Sequence, residues 1–347
     1  MRADGWAKEK KLSLYRLFHS TSYLCNMYQL AVIGAGQLGS RHLQGLAKAN
    51  LEAEIWVVDV SQESLNIAQS RYNEVKSDKM KVHFITDFSK IASEKIDFAI
   101  IATGSKYRLN ALQSLVNQCT VEYLLLEKVL FPSIDEYAIT SHILKVKNIK
   151  TWVNCTMRMN DFFRSIKKEI NGSKFTLSVS AKSAGLACNG IHYLDYFAYL
   201  SGNCDIKLTA ELTRQYDSKR PGYIEFDGAL NGVDKNGNML NITSISNGSL
   251  EVNYLIQTAD KQIMIDEINA EFWVKSAATN NVWKQDKFRV QYQSELSGVI
   301  AQTLISTGTC KLTPYEEAER IHLLFLHPFL QYMQQSFIEK ITVCPIT

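Results

Sequence analysis

Several features that mark whole classes of protein are missing from this sequence. No apolar run approaches the ~20 residues that a membrane-spanning helix needs, so we expect no membrane span. The net charge is only +3, and no basic helix is interleaved with aromatic residues, which argues against nucleic acid as a partner. The seven cysteines are odd in number, widely spaced and without a C-x-x-C pair. That pattern is typical of reduced thiols in a cytoplasmic protein rather than of a disulfide scaffold.

Metal-ligand patterns are also scarce. Cys188 and His192 lie four residues apart on a predicted helix, a spacing that can hold a metal ion. No second convergent pair completes a ligand set, so we expect no metal site.

The chain is long enough for more than one hydrophobic core, and its 347 residues favour two domains. The first 26 residues differ from the rest, since they carry five basic side chains but no continuous apolar segment or cleavage site of a secretory signal. We expect residues 1–26 to form an upstream extension, flexible in structure. The alternative is an amphipathic arm that docks on a partner subunit.

A glycine-rich turn follows this extension, between an apolar run and a helical pattern. The apolar run 30–33 is followed by Gly34, Ala35, Gly36, Gln37, Leu38 and Gly39. In a G-x-G-x-x-G pattern the first glycine permits a tight turn, the second lets the backbone approach a pyrophosphate, and the third lets the helix lie close to the sheet. The helix N-terminus then offers free N–H groups to phosphates. We therefore assign residues 34–39 to dinucleotide binding.

An acid follows the next apolar run at the distance that this motif requires. Asp59 lies twenty residues after Gly39 and ends the run 54–58. Its carboxylate would accept hydrogen bonds from the adenosine ribose hydroxyls and would repel a 2′-phosphate. No basic residue follows before Arg71, so the sequence favours NAD over NADP as the cofactor.

Residues 27–150 alternate between strand and helix patterns, which predicts a parallel sheet covered on both faces. We assign this part to an NAD-binding Rossmann domain. Its strands are expected at 30–33, 54–59, 81–86, 97–103 and 121–126. One more strand of this kind is expected directly after the domain, at 151–154.

Residues 151–347 change to long runs in which polar and apolar residues alternate. Strands are expected at 174–182, 207–215, 223–233, 239–246, 250–258, 262–269 and 271–276, with helices at 161–170, 189–200, 294–306 and 314–338. The pattern predicts an α/β substrate-binding and oligomerisation domain with a large, mostly antiparallel open sheet. Because such a sheet leaves apolar side chains on its open face, we expect a homodimer or homotetramer.

Polar residues follow three of the predicted parallel strands, at the edge where open parallel sheets bind ligands. They are Asp59, Thr103-Gly104 and Glu127-Lys128. We assign Thr103, Gly104 and Glu127 to the cofactor. The ammonium of Lys128 would hold a substrate hydroxyl or polarise a carbonyl as hydride moves. The alternative for Glu127-Lys128 is a solvated ion pair after a strand.

Five motifs occur together in the order and spacing of one known family. They are Ala-Val-Ile-Gly-Ala-Gly-Gln-Leu-Gly at 31–39, Ala102-Thr103-Gly104-Ser105, Leu126-Glu127-Lys128, Asn154-x-x-x-Arg158 and Gly190-Ile-His192-Tyr-Leu-Asp195. The chain resembles the glucose–fructose oxidoreductase, inositol dehydrogenase and rhizopine catabolism (Gfo/Idh/MocA) family over about residues 28–340.

The resemblance implies NAD(P)-dependent redox chemistry at a ring carbon of a sugar, sugar derivative or cyclitol. It implies that Lys128 binds the substrate beside the nicotinamide and that His192 is the acid/base. With an ordinary pKa of ~6.5, a histidine can take the hydroxyl proton at neutral pH.

Three positions depart from the family pattern. Cys188 stands where the family commonly has an aspartate that orients and charges the histidine, Val129 replaces the usual proline, and Arg108 replaces a histidine or aromatic residue. A thiol cannot stabilise an imidazolium as a carboxylate does. Asn189 or a substrate group would then have to orient His192.

Arg158 has two interpretations. With Asn154 on the same strand, it could reach the pocket and bind a phosphate or carboxylate of the substrate. Alternatively, it forms an interdomain salt bridge.

We therefore predict an NAD-dependent oxidoreductase acting on a ring hydroxyl or ketone of a sugar, which could be phosphorylated or nucleotide-linked. The expected substrate contacts are Lys128, Arg158, Asn189 and His192. The alternative is a non-catalytic dinucleotide- or sugar-sensing protein on the same scaffold, an interpretation that Cys188 keeps open.

Overall fold

The computed structural model describes residues 27–180, 185–246, 252–335 and 338–347. The predictions for residues 1–26, and the start of the strand expected at 250–258, lie outside these ranges. The described part is an α/β structure with a parallel N-terminal sheet and a mostly antiparallel C-terminal sheet, which confirms the predicted fold class.

The first sheet has the topology of a doubly wound dinucleotide fold. Its successive strands are β1 Tyr28–Ile33, β2 Ala53–Val58, β3 Met80–Ile85, β4 Lys95–Ile101, β5 Thr120–Leu126 and β6 Lys150–Val153, which lie in the order β6-β5-β4-β1-β2-β3 and pair in parallel. The intervening helices are α1 Gln37–Ala47, α2 Gln62–Asn73, α3 Ser105–Gln118 and α4 Ile134–Val146. Residues 98–101, the last four of β4, are fully buried, as a nearly all-apolar strand covered on both faces should be.

The second sheet has eight strands within the described ranges. They are β7 Thr176–Ser180, β8 Ile206–Asp217, β9 Ile224–Asp234, β10 Met239–Ser244, β11 Asn253–Gln257, β12 Lys261–Asp266, β13 Glu271–Ser276 and β14 Lys284–Lys287, in the order β14-β13-β12-β11-β7-β10-β9-β8. All neighbours pair antiparallel except β7 and β10. The hairpin expected at Asn236-Gly237 joins β9 to β10. The sequence analysis missed β14, whose four exposed residues carry no alternation.

Four more helices complete the described chain: α5 Asp161–Ile170, α6 Leu186–Ser201, α7 Gln293–Thr307 and α8 Tyr315–Gln334. Helix α6 packs on the inner face of the second sheet, against β9 and β10. None of the described helices is both long and apolar enough to cross a bilayer.

The chain returns to the first sheet after completing the second. A short strand, β15 Thr313–Pro314, pairs antiparallel with β6, and α7 packs against α1. The first sheet therefore includes residues beyond position 150, because β6 and β15 both pair within it. Backbone pairing, which the hydrophobic pattern does not reveal, decides this membership.

Helices α1 and α7 approach closely because small residues face each other at their crossing. A Cβ atom on Gly298 would lie 2.4 Å from the carbonyl oxygen of Gly45, and one on Gly45 would lie 2.8 Å from Cβ of Ser297. Neither position has room for a larger side chain.

We expect Gly298→Ala to lower the free energy of unfolding by about 1–3 kcal/mol, because the added methyl overpacks the crossing. This cost exceeds the ~1 kcal/mol that alanine gains over glycine in a helix interior. Denaturant unfolding without ligand measures it. Gly36→Ala is the control, since a Cβ atom there meets nothing within 4 Å. Equal or greater stability of the Gly298→Ala variant would contradict the proposed close contact.

Candidate active site

The glycine-rich turn joins β1 to α1, and its three glycines have different surroundings. Gly34 has a φ of +93°, which favours glycine, and a Cβ atom on Gly39 would lie 1.8 Å from the carbonyl oxygen of Gly34. Gly36, in contrast, faces open space. The first and third glycines thus shape the turn, while the second leaves its backbone accessible.

The carboxylate of Asp59 lies at the end of β2, beside this turn. One oxygen accepts the N–H of Ala35 at 2.6 Å and the other accepts the N–H of Ser61 at 2.9 Å. The acid is thereby held against the turn. Arg71 reaches back from α2, but its guanidinium is held by Gln37 and Ser40 on α1.

A cavity of about 600 Å³ opens at the carboxyl ends of β1, β2 and β4. Five of the predicted cofactor residues contribute to its wall: Gly34, Gly36, Asp59, Thr103 and Gly104. The sequence analysis missed its opposite wall, which includes Asp87, Phe88, Tyr107 and Asn110. Asp87 and Phe88 closely follow β3. Ligands of open parallel sheets bind at the carboxyl ends of the strands, so the criterion that selected Asp59 and Thr103 would also have selected these two residues.

Two helices start at this cavity with backbone N–H groups that no side chain caps among the described residues. They are α1, whose N-cap is Gly36, and α3, whose N-cap is Gly104. The hydroxyl of Thr103 is buried and lacks a hydrogen-bond partner in the described chain. Uncapped helix N-termini attract phosphate, and a buried polar atom without a partner indicates a ligand contact. The residues present therefore fit a dinucleotide.

Glu127 belongs to a buried network rather than to the cavity. Its carboxylate, at the end of β5, accepts hydrogen bonds from His42 on α1 (2.8 Å) and from Asn154 after β6. His42 also contacts the Ser297 hydroxyl on α7 at 2.9 Å. Burial by itself would raise the pKa of Glu127, but the hydrogen bonds and the nearby positive charges hold it below its ordinary value. The described contacts of Glu127 are thus structural, and its expected contact with the cofactor stays a prediction.

Lys128 points the other way, toward the second sheet. Its Nζ donates to the carbonyl oxygen of Cys188, in the first turn of α6, at 2.8 Å, and lies 3.6 Å from the Cys188 sulfur. The structure therefore brings Lys128 to the helix that carries His192, as the resemblance implies. The alternative of a solvated Glu–Lys pair does not fit, because the two side chains bind different partners.

His192 lies one helical turn after Cys188. Its Nδ1 is buried and has no hydrogen-bond partner among the described residues. Burial, together with the positive charge of Lys128, lowers the pKa of His192 to about 3. The imidazole is therefore neutral at physiological pH, with a free nitrogen and a low affinity for protons. Asn189 lies half-buried in the first turn of the same helix.

Arg158 forms the salt bridge that was the alternative to anion binding. Its guanidinium binds both carboxylate oxygens of Asp195 at 2.8 and 2.9 Å and that of Glu317 at 2.7 Å, with only 5% of the residue exposed. Asp195 also accepts the hydroxyl of Thr313 on β15. Both Arg158 and Asp195 thus join α6 to the first sheet, and their charges are neutralised within the protein. The predicted contact of Arg158 with a substrate is corrected accordingly.

Two side chains at the junction of the sheets had no role in the sequence analysis. Arg108 on α3 is buried and donates to the carbonyl oxygens of Thr103, Val129 and Leu130, so it ties the end of β4 to the loop that begins at Lys128. Tyr223 lies just before β9 and packs on Gly104, where a Cβ atom would lie 2.3 Å from the tyrosine hydroxyl.

Glu225 on β9 also had no role in the sequence analysis. Its carboxylate accepts the N–H groups of Ala187 and Cys188 at the start of α6. The alternation of polar and apolar residues along a strand does not predict such a contact, because the contact depends on which helix packs against the strand.

No protein-family model and no curated protein matches the sequence. Solved structures do share the fold. An oxidoreductase from Agrobacterium radiobacter, in complex with NAD+, L-tartaric acid and magnesium, is 15% identical with a TM-score of 0.68, over 86% of this chain and 94% of its own. The UDP-N-acetylglucosamine 3-dehydrogenase GnnA from Acidithiobacillus ferrooxidans is 14% identical with a TM-score of 0.66, over 87% and 96%.

A super-repressor mutant of Gal80p from Saccharomyces cerevisiae is 11% identical with a TM-score of 0.70, over 89% of this chain and 96% of its own. These similarities cover 86–89% of this chain. The resemblance to the Gfo/Idh/MocA oxidoreductases is therefore confirmed for the fold, and this chain has the two-sheet architecture of that family.

Proposed function

We propose that this protein is an NAD-dependent oxidoreductase that transfers hydride between nicotinamide and a ring hydroxyl or ketone of a sugar or sugar derivative. The observation that carries the proposal is the contact of Lys128 with the start of α6, the helix of His192, in a chain whose strand ends also form a cavity suited to a dinucleotide. Two of the similar structures are named as an oxidoreductase with NAD+ and as a nucleotide-sugar dehydrogenase, which supports this reaction class.

The glycine-rich turn, the start of α3 and Asp59 would hold the cofactor. NAD, when bound, supplies the hydride acceptor for oxidation of the substrate. The ammonium of Lys128 would exchange its carbonyl partner for the substrate oxygen and orient it. The neutral imidazole of His192 would take the hydroxyl proton on its free nitrogen.

Preference for NAD over NADP would come from negative charge at the ribose end of the cavity. Asp59 and Asp87 both contribute to its wall, and a 2′-phosphate there would face like charge.

We expect NADH to bind more tightly than NADPH. Asp59→Asn should lower the ratio of the NADPH and NADH dissociation constants by about tenfold, because removing one charge that repels the 2′-phosphate changes the NADPH affinity by roughly a factor of ten. Fluorescence titration with both cofactors measures the two affinities. Asp97→Asn is the control, because Asp97 lies on the same sheet at the opposite end of its strand. An unchanged ratio in the Asp59 variant would contradict the role of this acid.

We expect Lys128→Ala and His192→Ala each to lower the turnover of an oxidised sugar by about 10²-fold or more, with NADH affinity retained, since general acid–base groups contribute on that scale. Nicotinamide absorbance across a panel of sugars, sugar phosphates and nucleotide sugars measures turnover. The control is His142→Ala, at an exposed histidine on α4. Turnover that survives both site substitutions would exclude the proposed chemistry.

A non-catalytic dinucleotide or sugar sensor is the second candidate. Two observations favour it: the His192 imidazole has a pKa of about 3, and position 188 is a cysteine rather than an acid. A repressor protein has the same fold. NADH binding without Lys128-dependent turnover of any sugar in the panel would establish this candidate instead.

We also propose that the protein forms a homodimer or homotetramer through the outer face of the second sheet. Val233 and Met239 pair across β9 and β10, and each is about half exposed at 46% and 48%. Met264 on β12 adds a third apolar side chain that is 37% exposed.

We expect the oligomer to dissociate when Val233 and Met239 are both replaced by Glu, because four or more charges would then meet in an apolar contact. Sedimentation velocity measures the mass in solution. Ile67→Glu, at a position 40% exposed on α2, is the control and should leave the assembly intact. A wild-type monomer at all concentrations would reject this interface.

A further inference from the structure

The carboxylate of Glu225 is a buried acid that the proposed reaction does not use. The residue is 6% exposed, and its two oxygens accept the N–H groups of Cys188 at 2.8 Å and of Ala187 at 2.9 Å. Glu225 therefore caps α6 from another element. Gly185 makes this contact possible, because a Cβ atom there would lie 2.3 Å from the Glu225 carboxylate.

Cys188 connects this carboxylate to the proposed substrate lysine. The backbone N–H of Cys188 donates to Glu225, and its carbonyl oxygen accepts Nζ of Lys128 at 2.8 Å. The backbone N–H and carbonyl of Cys188 thus lie between the buried carboxylate of Glu225 and the half-buried ammonium of Lys128. A shift of the carboxylate would move the carbonyl that positions the lysine.

The protonation of Glu225 changes in the neutral range. Burial raises the pKa of Glu225 to about 7, against the opposing effects of its backbone N–H donors and of the charge of Lys128. Its other titratable neighbours are the Cys188 thiol on α6, Tyr216 on β8 and Cys344 in the C-terminal segment, and the charge of Glu225 raises the pKa of the last two. Among these described groups, Lys128 is the cation.

We propose that Glu225 is a positioning residue that fixes the first turn of α6 and stabilises the ammonium of Lys128. The role in catalysis rests on the function proposed above for Lys128. When Glu225 is ionised, its charge holds the proton on Lys128. When Glu225 is protonated, that charge is lost, and the ammonium of Lys128 keeps only its hydrogen bonds to Cys188.

Acetylation of the ligand-free full chain with trace acetic anhydride tests this directly. Mass spectrometry gives the labelling rate of Lys128 relative to Lys207, which is exposed on β8. At pH values below its pKa, an ordinary lysine labels about tenfold faster for each unit by which the pH is raised. In the wild type we expect the Lys128/Lys207 ratio to fall between about pH 6 and pH 8, because Glu225 ionises over this range and retains the ammonium proton.

Glu225→Gln keeps the size of the side chain and a hydrogen-bond acceptor for α6 but removes the charge. We expect the ratio in this variant to be independent of pH and, at about pH 8, to be raised several-fold, up to the tenfold of one unit. Asp227→Asn is the matched control. It neutralises a buried acid on the same strand whose carboxylate binds Ser246 instead, so the wild-type profile should persist.

A Glu225→Gln profile that superimposes on the wild type would overturn the proposal, as would an equal change in Asp227→Asn. If Glu225→Gln does not fold, the wild-type ratio alone decides, since a ratio that stays constant across this pH range also rejects it. The experiment contains neither dinucleotide nor sugar. Failure of the protein to bind NADH or to oxidise sugars would reject the proposed function. The labelling result would still test the effect of Glu225 on Lys128.

Discussion

The buried carboxylate of Glu127 is the constraint on which the arrangement of the site depends. A charged group that is 3% exposed has to be paired, because an unpaired charge away from water is too costly to maintain. His42 and Asn154 provide that pairing, and His42 continues to Ser297 on α7. The end of β5 is thus fixed against α1, β6 and α7 together, and Lys128 is the next residue along the chain.

Charges at the junction of the two sheets are almost all neutralised within the protein. Arg158 is neutralised by Asp195 and Glu317, and buried Arg108 is surrounded by three main-chain carbonyls. Lys128 differs, since its hydrogen-bond partners are the carbonyl oxygen and the sulfur of Cys188, and the carboxylate of Glu225 binds the same helical turn from the other side. A cation that is positioned but incompletely paired is suited to exchange that partner for a ligand oxygen. This distinguishes Lys128 from the structural cations around it.

The environment of His192 is consistent with the absence of an acid at position 188. The burial of the ring and the charge of Lys128 both disfavour the imidazolium, and the charge of Glu127 offsets them only in part. A hydride-transfer site needs a proton acceptor only while the substrate hydroxyl is being oxidised. The low proton affinity of His192 therefore makes it a weak proton acceptor, which is the observation that favours a binding protein over a dehydrogenase.

The sequence by itself determined the first half of this picture. The glycine pattern, Asp59 and the strand-end residues Thr103 and Gly104 identify the cavity, because consecutive βα units place the ends of parallel strands at one edge. The family motifs added Lys128 and His192, which the structure brings to the same junction.

Only the tertiary structure decided how the neighbouring polar residues are used. Glu127 and Arg158 carry charges that local sequence cannot distinguish from ligand contacts, and their partners lie 27 to 159 residues away in the chain. Glu225 reaches α6 from a strand with no motif of its own. Local patterns determine which edge of a sheet binds a ligand, whereas pairing of buried charges depends on contacts between distant segments and so emerges only from the packing of the whole chain.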